Sequence, residues 1–178
     1  MPDVFWQQSA LHGQAHVARV MVHAIRLVEA TGQQEHAARL WAAVFLHDIA
    51  RKHDGLCYRH GPDAARRLRA EQSLQERLSE VGLTASDYPA IQAAVSAHSA
   101  AREVSRDHEH WPLIALLKDA DALDRVRVRD LDPNYLRHPV AKQMIPFAQR
   151  LFDETDGLVS TGTTHFEQLW QISRQFAG

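Results

Sequence analysis

The chain has 178 residues, room for one domain with a real core, and its 45% hydrophobic and 24% charged residues are globular proportions that exclude a disordered or membrane-embedded class. A formal charge of −2 gives no general attraction for nucleic acid or acidic membranes, so no extended nucleic-acid surface is expected and any phosphate binding must come from a local cluster of cations. The single cysteine, Cys57, cannot form an internal disulfide, no basic segment leads into an apolar one at the N-terminus, and no apolar run approaches the roughly 18 residues of a membrane span, which together point to a cytoplasmic protein.

From the N-terminus onward the recurring signal is the helical period, without an internal repeat or an alternating pattern long enough for a sheet. Val17, Val20, Met21, Ala24 and Val28 make one apolar stripe that stops at Thr31-Gly32. A second helix is expected from about Gln33 to Ile49, with Ala37, Leu40, Trp41, Val44 and Phe45 inward. The segment 51–61 has no periodicity and reads as a loop. Pro62 then opens a charged helix to about Glu80, Pro89 a short one through His98, and Pro112 one through about Arg125. Pro139 starts another, with a kink expected at Pro146, and Thr164-x-x-Glu167 has the capping-box spacing of a last helix. About seven helices with short connections predict an all-α, single-domain bundle over residues 1–178.

Twelve histidines against eight glycines is out of proportion, and several histidines fall on apolar faces. His47 lies seven residues after Leu40 and three after Val44, and Asp48 follows it at the end of an apolar helix. Two adjacent ionisable groups at a buried helix end are costly unless something neutralises and hydrogen-bonds them. A divalent cation does both; capping of carbonyls by His47, or a local His47–Asp48 pair, is the competing explanation. His98 closes the stripe Ile91, Ala94, Val95, and His16 sits one turn before Val20 with His12 a turn earlier. Asp119, Asp121 and Asp124 follow the apolar run Leu113 to Leu117. Singly, each could be a satisfied core histidine or a solvated acid. Four helices each delivering an imidazole or carboxylate inward fit the way bundle cores build metal sites.

His16-Val17-Ala18-Arg19-Val20, Leu46-His47-Asp48-Ile49 and Asp119-Ala120-Asp121-Ala122-Leu123-Asp124, in that order, resemble the HD superfamily of metal-dependent phosphohydrolases. The resemblance covers about 12–137, with C-terminal helices over 138–176 completing the domain. It implies His16, His47, Asp48 and Asp121 as the shared metal ligands, with Asp121 preferred to Asp119 and Asp124. His60 and His98 resemble the additional histidines of two-metal members, in which the doublet aspartate bridges; His53 is an alternative to His60. His108, His110, His138 and His165 lie in polar stretches and are expected at the surface.

Imidazoles and carboxylates without thiolates suit Mn, Fe, Co, Ni or Zn, as one ion or two. The implied reaction is hydrolysis of a phosphate ester or anhydride by a metal-activated water, with Asp48, Lys118 and Arg125 as catalytic residues and a small phosphate-containing molecule, a nucleotide foremost, as substrate. Lys118 and Arg125 share a helical face with Asp121 and are the preferred phosphate clamps; Arg127, Arg129, Arg51 and Lys52 are further candidates. A mixed-valent di-iron oxygenase of the same type, and a metal-binding regulatory domain without turnover, are the alternatives.

Overall fold

The computed structural model describes residues 4–7, 9, 11–156 and 164–176. The first apolar stripe becomes α1 (Gln14–Thr31), and it stops where the sequence places Gly32: the glycine takes φ 70° and its N–H returns to the Val28 carbonyl. That left-handed turn is strained for any residue with a β-carbon. A 3-10 turn at Gln34–His36 leads into α2 (Ala37–Leu46), after which residues 47–50 form a turn instead of continuing the helix.

Two expectations about α2 need correction. Trp41 is 43% exposed, not inward, because the buried face is set by Leu40, Ala43, Val44 and His47. Asp48 is nonetheless buried, and the turn after Leu46 is what directs it inward, not the Trp41 register.

The charged segment after the loop is two helices, α3 (His60–Ala70) and α4 (Gln72–Glu80), where one was expected. Glu71 between them is extended, at φ −103° and ψ 106°. Leu68 and Leu74 would stand about 120° apart on a continuous helix, so the break lets both reach the core, where both are fully buried. Arg67 fixes the corner by donating from Nε and Nη2 to the Glu71 carboxylate at 2.6 and 2.9 Å.

α5 (Tyr88–His98) and α6 (Trp111–Leu123) each have a proline in the first turn, and α6 runs on as a 3-10 stretch over Asp124–Val128. The expected kink near Pro146 is a break at Met144, separating α7 (Pro139–Gln143) from α8 (Ile145–Thr155), because Pro146 fits only the first turn of a new helix. α9 (Thr164–Arg174) closes the described chain; the Thr164 side chain of the expected capping box lies outside the described residues.

Among the described residues these nine helices form one all-α bundle. α1 packs on α2, α6 and α9, and α5 packs on α2, α3 and α6. Leu27, Leu40, Leu46, Ile49, Ile91, Leu116 and Leu117 are fully buried along those contacts. Among the described residues, no helix is long and apolar enough to cross a membrane. The helices therefore hold the loop-side ends of α2, α3, α5 and α6 around the first turn of α1.

Candidate metal centre

His16 sits in the first turn of α1, His47 caps α2, Asp48 follows in the turn, His60 opens α3, His98 ends α5 and Asp121 lies in the last turn of α6. Helix ends carry these side chains, so they project past their own helical ladders into a shared space. The six form two groups of three, His16–His47–Asp121 and Asp48–His60–His98, and within each group the donor atoms lie within 4.8 Å of one another. The side chains of His16, His47, Asp48, His60 and His98 are buried, and that of Asp121 is partly open.

Asp48 links the groups. Its Oδ2 lies 3.5 Å from His16 Nε2 and 3.7 Å from His47 Nε2, while its Oδ1 lies 3.1 Å from His60 Nε2 and 3.8 Å from His98 Nε2. Asp121 Oδ1 completes the first group at 3.4 Å from His16 Nε2 and 4.0 Å from His47 Nε2.

The far side of each ring decides what the near side can do. His47 Nδ1 donates to the Val44 carbonyl at 2.7 Å, His60 Nδ1 to the Cys57 carbonyl at 2.6 Å and His98 Nδ1 to the Val95 carbonyl at 2.6 Å. His16 Nδ1 donates to Asp124 Oδ2 at 2.7 Å. Carbonyl and carboxylate oxygens only accept, so each neutral ring keeps its proton on Nδ1 and a bare lone pair on Nε2. Yet the His16 and His47 Nε2 atoms are 3.1 Å apart, and those of His60 and His98 2.9 Å apart. Paired lone pairs at that distance repel, and a cation between them removes the repulsion. Donors about 2.0–2.2 Å from one ion lie roughly 3–3.5 Å from each other, close to the spacings here. The donor set therefore fits metal ions, with neutral imidazoles oriented by bonds on their other nitrogens.

The electrostatics agree with this geometry at His47, Asp48 and Asp121, whereas His16, facing two carboxylates, is drawn toward its protonated form. Burial pushes the Asp48 carboxyl upward, but His47, His60, His98 and His16 hold it well below the usual carboxylate range. Burial acts likewise on Asp121, and His16, His47 and His98 overcome it. Burial brings His47 down to about 4, which keeps it neutral and able to donate a lone pair. For His16, burial and Arg127 push down, while Asp121 and Asp124 prevail and raise it.

Asp124 is the hub of the support. Besides His16 it accepts from Arg19 Nε at 2.6 Å and Nη2 at 3.2 Å, and Arg127 Nη1 lies 3.4 Å away. Burial raises its carboxyl, but His16 and Arg19 hold it down to about 2. The three neighbouring aspartates thus divide: Asp121 joins the first group, Asp124 orients His16, and Asp119 accepts from the backbone N–H groups of Arg137 and His138 at 2.9 and 2.8 Å.

A cleft of about 270 Å³ opens beside the two groups, lined by His98, Asp121, Lys118, Arg125, Tyr135 and Arg137 among others. Lys118 and Arg125 both face it. Lys118 is buried and donates to the Ala97 carbonyl at 3.1 Å, whereas Arg125 is exposed and paired with Asp130. The other candidate clamps lie elsewhere. Arg127 turns inward to Asp124 and the Leu11 carbonyl, Lys52 sits 5.0 Å over the Trp6 ring and Arg129 is exposed. Arg51 alone of these reaches the centre, where it donates to Asp48 Oδ1 at 2.9 Å.

His53 is exposed and joins neither group; His60 does. His108 is exposed as expected, but His110 and His138 are partly buried. His138 is tied down because its Nδ1 bonds Asp119 Oδ2 at 2.9 Å. The His165 side chain lies outside the described residues.

Sequence reasoning passed over Arg19, Gly61 and Arg137. Arg19 could have been suspected, three residues from His16 on one helix, and so could a glycine beside a candidate ligand at a helix start. Arg137 carries no such signal, being brought to the cleft by Asp119 from sixteen residues beyond Asp121. Comparison with family models, with curated proteins and with solved structures found no match to this chain in any of the three.

Proposed function

We propose that this protein is a metal-dependent phosphohydrolase of the HD type, acting on a phosphate ester or anhydride of a small molecule. The observation that carries the reading is Asp48, which turns one carboxylate oxygen to each group of donors and so can serve two ions at once. His16, His47 and Asp121 would hold one ion, and His60 and His98 the other. Bound there, a divalent transition metal supplies a water more acidic than bulk water and a Lewis acid for a phosphoryl oxygen.

The chain's own residues do the rest. The carbonyls of Val44, Cys57 and Val95 and the Asp124 carboxylate fix the ring orientations, so the four imidazoles need not turn when substrate arrives. Lys118 and Arg137 put positive charge on the cleft wall next to Asp121 and His98, where phosphate oxygens would gain negative charge. The Asp121 side chain, 26% exposed, leaves that side of the centre accessible, while His16, His47 and His98 are closed off.

These wall cations favour a substrate that carries phosphate or another anionic group. Elemental analysis of the purified protein, followed by a phosphatase and nucleotidase screen with several divalent metals, tests the reading. A transition metal with turnover of a phosphate ester is expected. Metal-free protein without turnover under any metal would overturn it, and bound iron with O₂ consumption would replace it with the oxygenase.

A further inference from the structure

Two cations of the cleft share one internal anion. Lys118 Nζ lies 3.3 Å from Glu103 Oε2. Arg137 Nη2 donates to that same oxygen at 2.7 Å, and Arg137 Nε donates to Oε1 at 3.1 Å. Each cation also has an anchor of its own. Lys118 donates to the Ala97 carbonyl at 3.1 Å; Arg137 Nη1 donates to the Tyr135 carbonyl at 2.7 Å and to Asp119 Oδ1 at 3.2 Å. Glu103 differs from both. It sits on the connection between α5 and α6, outside any helix, and its side chain is 49% exposed. The cations are built in; the carboxylate reaches them from a surface segment.

We propose that Lys118 and Arg137 form a subsite for a phosphate group and that the Glu103 carboxylate is its internal placeholder, displaced when phosphate binds. The proposal rests on the phosphohydrolase reading and adds how that site receives its substrate. A carboxylate spanning the guanidinium fork presents two oxygens as a phosphate does, and a phosphate dianion adds charge and a third oxygen for Lys118. Lys118 is 8% exposed and the Arg137 side chain 12%. Two cations so nearly buried are costly without a counter-anion, and Glu103 supplies one while the cleft is empty. Substrate affinity is then a difference, the phosphate's hold on the two cations less the carboxylate's.

The remaining charges bear on which phosphate fits. Asp121, Asp130 and Asp132 also line the cleft, with Arg125 paired to Asp130. Those carboxylates disfavour a polyanionic strand, and about 270 Å³ holds one small ligand. A single terminal phosphate on a small molecule satisfies both conditions.

Titration calorimetry of inorganic phosphate into the purified full-length protein tests this, comparing wild type, Glu103→Gln, and Glu103→Gln combined with Lys118→Ala. Loss of one competing charged hydrogen-bond acceptor should tighten phosphate binding by about tenfold in Glu103→Gln, and Lys118→Ala should abolish that gain. Equal or weaker binding by Glu103→Gln overturns the proposal, because Glu103 would then only position Arg137. A gain that survives Lys118→Ala also overturns it, since the phosphate is then held elsewhere. Turnover separates this from the broader reading. A Glu103→Gln protein that hydrolyses phosphate esters with unchanged phosphate affinity sinks the placeholder alone. Tighter phosphate with no turnover in either protein upholds the placeholder and sinks the hydrolase.

Discussion

Gly61 lies so close to Val95 that a β-carbon on it would stand 2.4 Å from the Val95 carbonyl oxygen, and 2.6 Å from Ser99 Oγ. Its N–H donates to that hydroxyl at 3.2 Å. This contact seats the first turn of α3 on the last turn of α5, which brings His60 and His98 together. Gly61→Ala should push the two helices apart, lower the metal content of the Asp48–His60–His98 group and reduce Tm by several degrees, as overpacking commonly costs about 1–3 kcal/mol. Elemental analysis with a thermal melt checks it; unchanged metal content and Tm would mean that α3 yields without cost.

Removal of either member of the His47–Asp48 doublet should be more severe. His47→Ala or Asp48→Ala takes a buried ligand atom from the centre, and purified protein should lose most of its metal. Full metal occupancy in both variants would show that the doublet does not hold the ion.

His60→Ala and His98→Ala should differ from that pattern in stoichiometry. Metal-replete wild type is expected to hold about two ions, and each variant about one, because His16, His47 and Asp121 are untouched. A wild type that binds a single ion, or variants that match wild type, would return these histidines to a structural role.

On a confirmed substrate, Lys118→Ala should lower kcat/KM by roughly ten- to a hundredfold with metal retained, the scale of one charged contact to a phosphate. Arg125→Ala should do less, since Arg125 is exposed and already engaged by Asp130. Equal losses in the two variants would contradict that ranking.

His23 provides a test away from the centre. It is fully buried on α1 against Phe147, and neither ring nitrogen has a hydrogen-bond partner among the described residues. Burial lowers its pKa from 6.5 to about 4. Between those values the unfolded chain binds a proton that the folded chain refuses, so stability falls as pH drops through that window and is retained above it. His23→Leu should remove this dependence. Its unfolding free energy should lose about 2 kcal/mol less than that of wild type between pH 7 and pH 5, read by denaturant titration. The same loss in both proteins would place the proton elsewhere.

Helix positions were legible from the chain wherever an apolar stripe and a stop signal coincide, as at Val20, Ala24, Val28 and Gly32. His16, His47, Asp48 and His98 could be named in advance because polar side chains on or at the end of apolar stripes stand out in a one-dimensional pattern, whereas His60 and the choice of Asp121 among three aspartates came only from the resemblance to the HD superfamily. The same logic failed at Trp41, where one stripe offers two plausible faces and packing against α1 and α5 selects the other. It failed again at Glu71, where burying both Leu68 and Leu74 outweighs the helical propensity of a charged run.

What the sequence by itself determined is therefore local: which segments are helical, where most of them start and stop, and which side chains would be costly to bury without a partner. Only the tertiary structure decided that Asp48 faces two groups at once, that Asp124 serves His16, and that Glu103 bridges Lys118 and Arg137. The reason is physical. Periodicity reports the face a residue occupies on its own helix, whereas a bridging carboxylate or a shared counter-ion depends on distances between helices. Those distances are set by contacts such as Gly61 against Val95, between residues far apart in the chain.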